Sequence, residues 1–350
     1  MNEIIPSVYI EGKEVDVIQG AYTNTGGLRA GTLEVTLPLI SDGYRKLWNK
    51  EVTFYANPYE SVPIFRGYIK RVKEDFDSIT IYAQDALGYL VKAGNSNQAV
   101  VALTPQDNID GLSVGAGIRK IIKMAKLDTK IGTDYIGDTT PIVSTSRPPL
   151  RGTFTLINII KTLMGRAVDN SVTPPRTNII KLIDDGNMSQ LAIELQSDVD
   201  SANVKHVFSE YSNITNLKVV QKKVPTVIIV NGKNGVKGTF SHDSAIEAFD
   251  RNFLEVTNEA LESPAECVDF GQKVFRANLI TQYEYGIDTV DGYHLNENDV
   301  IRIETDDKVL TGNYRVRGKK IAFTNSEFTI GININRQPPT LVEYISQQDN

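Results

Sequence analysis

The three histidines of the chain are the first candidates for chemistry, because neutral imidazole is the commonest metal ligand in proteins. They are His206, His242 and His294, and none of them forms an HxH, HxxxH or HExxH spacing. A metal site would therefore have to be assembled by the fold alone. Surface or helix-capping roles are the interpretation for all three, and the sequence predicts no metal site and no cofactor.

A catalytic nucleophile has no support in the sequence. No GxSxG motif is present, and the single cysteine, Cys267, has no histidine near it in the chain. A thiol becomes reactive beside a base or a cation, so Cys267 is interpreted as a small apolar residue on a helix. One cysteine cannot form an internal disulfide, so nothing here requires an oxidising compartment.

Two short runs resemble ligand loops but leave their patterns incomplete. Residues 232–238 (GKNGVKG) lack the GxxxxGK[ST] order, because Gly238 follows Lys237. Asn-Gly pairs supply the positive φ of tight turns, so this run is interpreted as a turn. Residues 107–111 (DNIDG) resemble a calcium loop, but no glutamate closes a twelve-residue frame. A loop that leads into a helix is favoured there.

Two pairs of adjacent acidic residues remain. Asp184-Asp185 and Asp306-Asp307 stand where hairpin turns commonly place such side chains. Paired carboxylates can hydrolyse a glycan when the fold holds them at the required separation. Turn roles are the interpretation, and glycan hydrolysis stays an alternative.

Composition bounds the class of protein. The 350 residues, 41% hydrophobic and 23% charged, suffice for two to four globular domains. A net charge of -6 and a pI near 5.3 argue against a surface that grips nucleic-acid phosphates. No window approaches 18 apolar residues, and the start lacks a signal-peptide pattern. We expect a soluble protein made in the cytoplasm, without an integral membrane segment.

A strand-rich stretch at residues 52–82 supplies the candidate scaffold. Ile79 and Ile81 alternate with polar residues, as a half-buried strand requires. Gly67 interrupts the preceding strand, and a glycine there marks a bulge or a close backbone approach. Residues 300–331 repeat the pattern, with Gly312 in the place of Gly67. We predict structural bends at Gly67 and Gly312 and two similar barrels.

The period changes between these two stretches. After Ser113 and after Thr155, apolar residues recur at helical spacing, which predicts two amphipathic helices. Residues 179–183 and 191–195 flank a DDGN turn and predict a hairpin. An α/β insertion in the strand-rich chain is expected here, and residues 241–278 are predicted to be largely helical.

A family resemblance rests on the order of several short motifs. Residues 65–69 (FRGYI) are followed by residues 84–90 (QDALGYL), and the C-terminal part contains 298–303 (NDVIRI), 310–316 (LTGNYRV) and 328–330 (FTI). This order is similar to that of the baseplate hub proteins at the tip of long phage and tailocin tails, of the late control protein D type. The resemblance covers nearly the whole chain.

The resemblance implies a β-rich α+β protein with two similar tube-like antiparallel β-barrels, the second one discontinuous, an inserted α/β domain and a helical insert. The expected parts are a first barrel at 1–98, the α/β domain at 99–208, a second barrel at 209–242 and 284–338, the helical insert at 243–283 and a tail at 339–350.

The resemblance also implies a structural virion protein without enzymatic activity. Hubs of this type are homotrimers that adapt a six-fold tail tube to a three-fold spike around an axial channel. The implied partners are the tail tube or distal tail protein, the central spike and neighbouring baseplate proteins, with DNA only in passage. The alternative is a tail-tip enzyme or glycan-binding protein that acts on the host cell wall through residues 99–208.

Overall fold

The computed structural model of the chain describes residues 4–26, 29–39, 46–91, 100–104, 109, 111–137, 152–166, 168–169, 176–195, 202–221, 223–258, 261–280, 283–307, 310–324 and 327–335. It divides into two compact units. The larger comprises Met1–Asn216 and Asp288–Asn333, and the smaller comprises Leu217–Ile287 and Ile334–Asn350. The predicted tail at 339–350 and most of the run at 107–111 lie outside the described residues.

The described chain is rich in β-strands, as predicted. They are β1 (Ser7–Ile10), β2 (Lys13–Val15), β3 (Gln19–Asn24), β4 (Thr32–Pro38), β5 (Glu51–Tyr55), β6 (Phe65–Glu74), β7 (Ser78–Asp85), β8 (Val100–Leu103), β9 (Gly152–Thr155), β10 (Val168–Asp169), β11 (Arg176–Asp184), β12 (Ser189–Leu195), β13 (His206–Ser209), β14 (Ile214–Gln221), β15 (Val227–Asn231), β16 (Lys237–Ser241), β17 (Phe253–Thr257), β18 (Tyr283–Thr289), β19 (Val300–Glu304), β20 (Gly312–Thr324) and β21 (Phe328–Asn335). The helices are α1 (Gly88–Val91), α2 (Val114–Met124), α3 (Leu156–Arg166), α4 (Asp243–Phe249) and α5 (Pro264–Ile280).

One sheet organises the larger unit. Its strands follow the order β21-β20-β3-β4-β7-β6-β5-β1-β2, and β19 pairs with both β20 and β13. Strand β3 is antiparallel to β20, with Gln19 opposite Thr324 and Asn24 opposite Lys319. Strands from the two ends of the chain therefore hydrogen-bond to each other within a single sheet. The two separate barrels and the domain boundaries stay predictions.

Alternating apolar residues give this sheet its buried face. Leu33, Val35 and Leu37 of β4 are buried, and they alternate with more exposed residues as the two-residue period of a strand requires. The rings of Phe54 and Phe323 stack with their centroids 4.3 Å apart. Each fully buried side chain of this size contributes about 1.5–3 kcal/mol. Phe54 comes from β5 and Phe323 from β20, so both ends of the chain supply the core.

The predicted helices and hairpin of residues 99–208 are present. Ser113 Oγ accepts a hydrogen bond of 3.1 Å from Ala116 N and so caps α2. Most apolar positions predicted by helical spacing are buried, namely Val114, Ile118, Ile121 and Ile122 of α2 and Leu156, Ile159, Ile160 and Leu163 of α3. Ala125, predicted with them, is only partly buried at the C-cap of α2, and the side chain of Met164 lies outside the described residues. Strands β11 and β12 form the predicted antiparallel hairpin, with Asp184 opposite Ser189.

The smaller unit contains a three-stranded sheet of order β16-β15-β17. Helix α5 packs closely on this sheet, because a Cβ at Gly238 would lie 2.7 Å from Cys267 Cβ. Residues 232–238 contain a 3-10 turn at Lys233–Gly235 between β15 and β16, in agreement with the predicted turn. The prediction that residues 241–278 are largely helical is wrong in one place, because strand β17 lies between α4 and α5. This strand pairs in parallel with β15, and its alternating residues Leu254 and Val256 pack against the core.

Candidate functional site

Arg66, the central residue of the FRG motif, connects β6 to the β11–β12 hairpin. Its Nε donates a hydrogen bond of 2.7 Å to Asp184 Oδ2, its Nη1 donates one of 2.9 Å to Glu51 Oε1, and its Nη2 donates one of 2.9 Å to Gly186 O. Burial opposes the charged form of Arg66, but Asp184 and Glu51 outweigh it and raise the pKa of the guanidinium. The motif residue is therefore a clamp between the sheet and the hairpin.

The DDGN turn presents Asp184 to this clamp. Asp184 Oδ1 accepts a bond of 2.9 Å from Gly186 N, and Gly186 has a φ of +91°, which glycine adopts without strain. Asp185 Oδ1 accepts bonds from the backbone N–H groups of Asn187 and Met188. The pKa of Asp185 is lowered by the hydrogen bonds that it accepts from Met188 N, the Gln190 side chain and Asn187 N. Both acidic residues thus have the predicted turn role, and Asp184 also binds Arg66.

Asp85, in the QDALGYL motif, ties three segments together. Its Oδ2 accepts a bond of 2.7 Å from Gly31 N, and its Oδ1 accepts one of 3.0 Å from Leu87 N. Burial raises the pKa of Asp85 to about 7, against the backbone N–H donors that favour the carboxylate. The apolar residues that follow, Leu87 and Leu90, are buried in the core of the α2–α3 region. The motif therefore anchors the end of β7 in the core that α2 and α3 form.

A cleft of about 560 Å³ opens beside these contacts, within the larger unit. Its walls come from residues 59–66, residues 182–184 of β11 and the segment 293–296, and Tyr22, Asp85 and Lys319 line it as well. Burial and the nearby Asp85 raise the pKa of Tyr22 well above its usual range. Several titratable groups with shifted pKa values in one concave site are typical of a functional region.

Lys319 is a buried cation at this cleft. Its Nζ donates a hydrogen bond of 2.8 Å to Leu295 O and another to Tyr293 O. Burial lowers the pKa of Lys319 to about 8, and Asp299 acts in the opposite direction. Because the ammonium group is engaged by two backbone carbonyls, its role is to hold the segment 293–295 against β20. Asp85 is likewise engaged by backbone, so the cleft holds segments in place rather than presenting a free nucleophile.

Two of the three histidines meet beside this segment. The rings of His206 and His294 lie 5.6 Å apart, and His206 Nε2 is 3.2 Å from Asp291 Oδ2. The pKa of His294 is lowered, first by burial of its ring and then by the nearby His206 and Lys319. The carboxylates of Asp291 and Asp299 act in the opposite direction and favour the charged ring. Sequence spacing could not indicate this pair, because the two residues stand far apart in the chain.

The third histidine and the cysteine lie in the smaller unit. His242 Nδ1 accepts a bond of 3.2 Å from Ala245 N and caps α4, which agrees with the predicted capping role. Cys267 is fully buried on α5. Among the described residues, no three His, Cys, Asp or Glu side chains converge as metal ligands. In the same part of the chain, no helix is both long and apolar enough to cross a bilayer.

The two predicted bend residues occupy different positions in their strands. Gly67 lies inside β6, where a Cβ would clash with both Gln84 O and Phe65 Cζ. The register of β6 against β7 shifts between Ile69 and Arg71, shortly after Gly67. Gly312 begins β20 with a φ of +155°, which side chains other than glycine rarely allow. That these glycines bend the strands stays a prediction.

No protein-family model and no curated protein matches the sequence. Solved structures do match the fold. A 43 kDa tail protein of prophage MuSo2 from Shewanella oneidensis aligns with a TM-score of 0.64 and 12% identity, over 95% of this chain and 97% of that chain. This chain has the fold of phage tail proteins.

Two further structures share this tail-protein fold. A tail protein from Neisseria meningitidis MC58 aligns with a TM-score of 0.62 and 10% identity, over 95% of this chain and 96% of that one. A type VI secretion component of E. coli, itself similar to T4 bacteriophage tail proteins, aligns with a TM-score of 0.55 and 10% identity, over 95% and 79% of the respective chains. The motif order in the sequence therefore pointed to the right fold.

Sequence reasoning missed Lys319 and the partner of Arg66. Lys319 lies on the same face of β20 as Ile321 and Phe323, and all three are buried, whereas Lys320 and Ala322 on the other face are exposed. The two-residue period of β20 was the signal that placed this lysine inward. Arg66 belongs to a recognisable motif, but nothing near it in sequence indicated Asp184.

Proposed function

We propose that the protein is a structural component of a phage or tailocin tail, a baseplate or tail-tip hub that acts without enzymatic activity. The observation that carries the proposal is the tail-protein fold, which extends over 95% of this chain and nearly all of a prophage tail protein. The order of the FRGYI and QDALGYL motifs supports it independently. Residues of both motifs hold neighbouring segments against the sheet: Arg66 binds the β11–β12 hairpin, and Asp85 binds Gly31 N and Leu87 N.

The assembled form in this proposal is a homotrimer around an axial channel. A ring of six positions can be built from three chains if each chain contributes two similar strand groups, and closed rings need matching contacts around the axis. The strand groups at the two ends of this chain are the candidates. The trimer would adapt a six-fold tail tube or distal tail protein to a three-fold spike, beside neighbouring baseplate proteins, and DNA would only pass through it. The protein would reside in the virion tail after assembly in the host cytoplasm.

Gel filtration coupled to light scattering tests the trimer. The expected particle has three times the chain mass of 38.8 kDa. Class averages from electron microscopy should then show a ring with pseudo-six-fold symmetry on one side and three-fold symmetry on the other. A stable monomer, a dimer or a true hexamer of this chain alone would contradict the proposal.

Activity on cell walls is the separate test of the non-enzymatic role. The purified chain should neither release soluble fragments from peptidoglycan nor sediment with it. Hydrolysis that survives further purification would favour a tail-tip enzyme instead.

A further inference from the structure

Two lysines of the larger unit converge on two tyrosine rings. Lys70 Nζ lies 4.2 Å from the centroid of the Tyr89 ring and 6.0 Å from that of Tyr68, and Lys130 Nζ lies 4.7 Å from the Tyr68 centroid. The tyrosine rings meet edge to face at 5.4 Å. All four side chains are half-buried. Both ammonium groups therefore approach the same Tyr68 ring.

Neither ammonium group forms an ion pair with a carboxylate among the described residues. Glu11 interacts electrostatically with Lys130, but its carboxylate already accepts hydrogen bonds of 3.2 Å from Lys50 Nζ and 2.9 Å from Glu51 N. The half-buried Lys181, by contrast, pairs with Glu194 at 2.8 Å.

The surroundings of Lys70 oppose its positive charge. Partial loss of solvent and then the charge of Lys130 lower the pKa of Lys70. Two like charges near one ring repel each other, and attraction to the ring faces acts against that repulsion. A doubly charged anion between the two ammonium groups would reverse the sign of the interaction and form charge-assisted hydrogen bonds with both.

The cluster lies on a surface that a ligand can reach. Tyr68 and Lys70 alternate along β6 with the buried Gly67 and Ile69, so they project from the face of the strand opposite the core. Lys130 follows α2 and directly precedes Ile131, whose neighbour Gly132 bonds to β12 through Ser189 O and Leu191 N. An anion here would therefore contact both the sheet and the inserted region.

We propose that Lys70 and Lys130, supported by Tyr68 and Tyr89, form a binding site for a tetrahedral dianion, a phosphate or sulfate group of a larger ligand. The site is independent of the hub proposal, because it rests on the contacts of these four side chains alone. Occupation neutralises the two cations and ties β6 to the segment after α2.

Calorimetric titration of the full chain with inorganic phosphate and, separately, with sulfate tests the site. Sodium chloride at matched ionic strength is the reference titrant. We expect saturable binding of at least one dianion, weakened by about tenfold or more in Lys70→Gln and in Lys130→Gln, since each removes a charged hydrogen-bond donor. Lys73→Gln is the matched control, because Lys73 lies on the same strand and pairs with Asp75 at 2.8 Å. It should bind like the wild type.

The outcomes separate the sources of the dianion and the ways to fail. Binding of phosphate alone indicates a phosphate ester, binding of sulfate alone indicates a sulfate ester, and binding of both supports a general dianion site. No saturable binding by the wild type, or equal weakening in Lys73→Gln, overturns the proposal. If Lys70→Gln does not fold, Lys130→Gln, in the segment after α2, is sufficient to test the proposal. Lys130→Arg keeps the positive charge and should therefore bind the dianion more tightly than Lys130→Gln.

Discussion

Arg66 Nε of β6 donates a hydrogen bond of 2.7 Å to Asp184 Oδ2 at the end of β11, 118 positions later in the chain. Both side chains are about nine-tenths buried, at 11% and 9% exposure. A pair this well shielded is screened little by salt. The contact therefore gives a short sequence motif a defined structural role, which is to hold the β11–β12 hairpin against the sheet.

Removal of one partner of this pair should destabilise the larger unit. Arg66→Gln or Asp184→Asn leaves the other side chain buried without its main partner, at a cost of about 3 kcal/mol in the free energy of unfolding. Urea denaturation measures it. The double variant should lose less than the sum of the single losses, because the two side chains interact. Lys73→Gln, which removes an exposed ion pair, is the control and should change the free energy of unfolding little. If the effects of Arg66→Gln and Asp184→Asn were additive, the two side chains would not stabilise the larger unit through their mutual contact.

Asp85 should make the stability of the protein depend on pH. Its pKa is raised from the ordinary 3.8 to about 7, so the stability that it contributes is full below about pH 4 and is lost as the pH rises through 7. Across that window the loss amounts to about 4 kcal/mol. The unfolding free energy of the wild type, taken relative to that of Asp85→Asn, should therefore fall from pH 4 to pH 7. An unchanged difference would refute the assignment, and Asp128→Asn, at an exposed site, is the control.

His294 should act in the opposite direction. Its pKa is lowered from the ordinary 6.5, so its favourable contribution is complete above pH 6.5 and is lost as the pH falls below 6.5 and through the lowered pKa of the folded state. Acid adds a positive charge beside His206 and Lys319. We expect amide hydrogen exchange of residues 291–299, corrected for intrinsic rates, to increase several-fold between pH 7.5 and pH 5. His294→Gln should remove this increase, and His242→Asn, at a helix cap in the smaller unit, should keep it. If His294→Gln showed the same increase in exchange rate as the wild type, protonation of His294 would not be its cause.

Gly67 should tolerate no side chain. A Cβ there would clash with the backbone oxygen of Gln84, so Gly67→Ala should lower the free energy of unfolding by more than the roughly 1 kcal/mol that strand propensity alone predicts. Gly312→Ala should also destabilise because of its φ. A Cβ at Gly137 would meet open space, with no neighbouring segment within 4 Å, so Gly137→Ala is the control for thermal unfolding. Equal melting temperatures for Gly67→Ala and Gly137→Ala would contradict the close approach.

Local periodicity predicted a large share of the elements. Ile118, Ile121 and Ile122 are buried because their spacing follows the helical repeat, and a single sequence displays that repeat directly. Leu33 and Val35 follow the strand repeat for the same reason. These inferences succeed because residue type and local backbone period determine which face is buried.

Long-range pairings were beyond such reasoning. No local signal indicates that Gln19 pairs with Thr324, or that His206 meets His294, because tertiary packing decides which strands and loops become neighbours. Strand β17 was missed because the helical patterns on either side dominated the interpretation of this short segment. Its parallel pairing with β15 supplied the hydrogen bonds that overrode them.

The only cysteine of the chain gives the smaller unit an internal chemical reporter. Cys267 is fully buried where α5 meets Gly238, so a thiol reagent reaches it only when that helix separates from the sheet. Under native conditions, the rate of thiol modification therefore measures the opening of this unit without any engineered label. The larger unit contributes no thiol, so comparison of this rate with global denaturation would reveal whether the two units unfold together or separately.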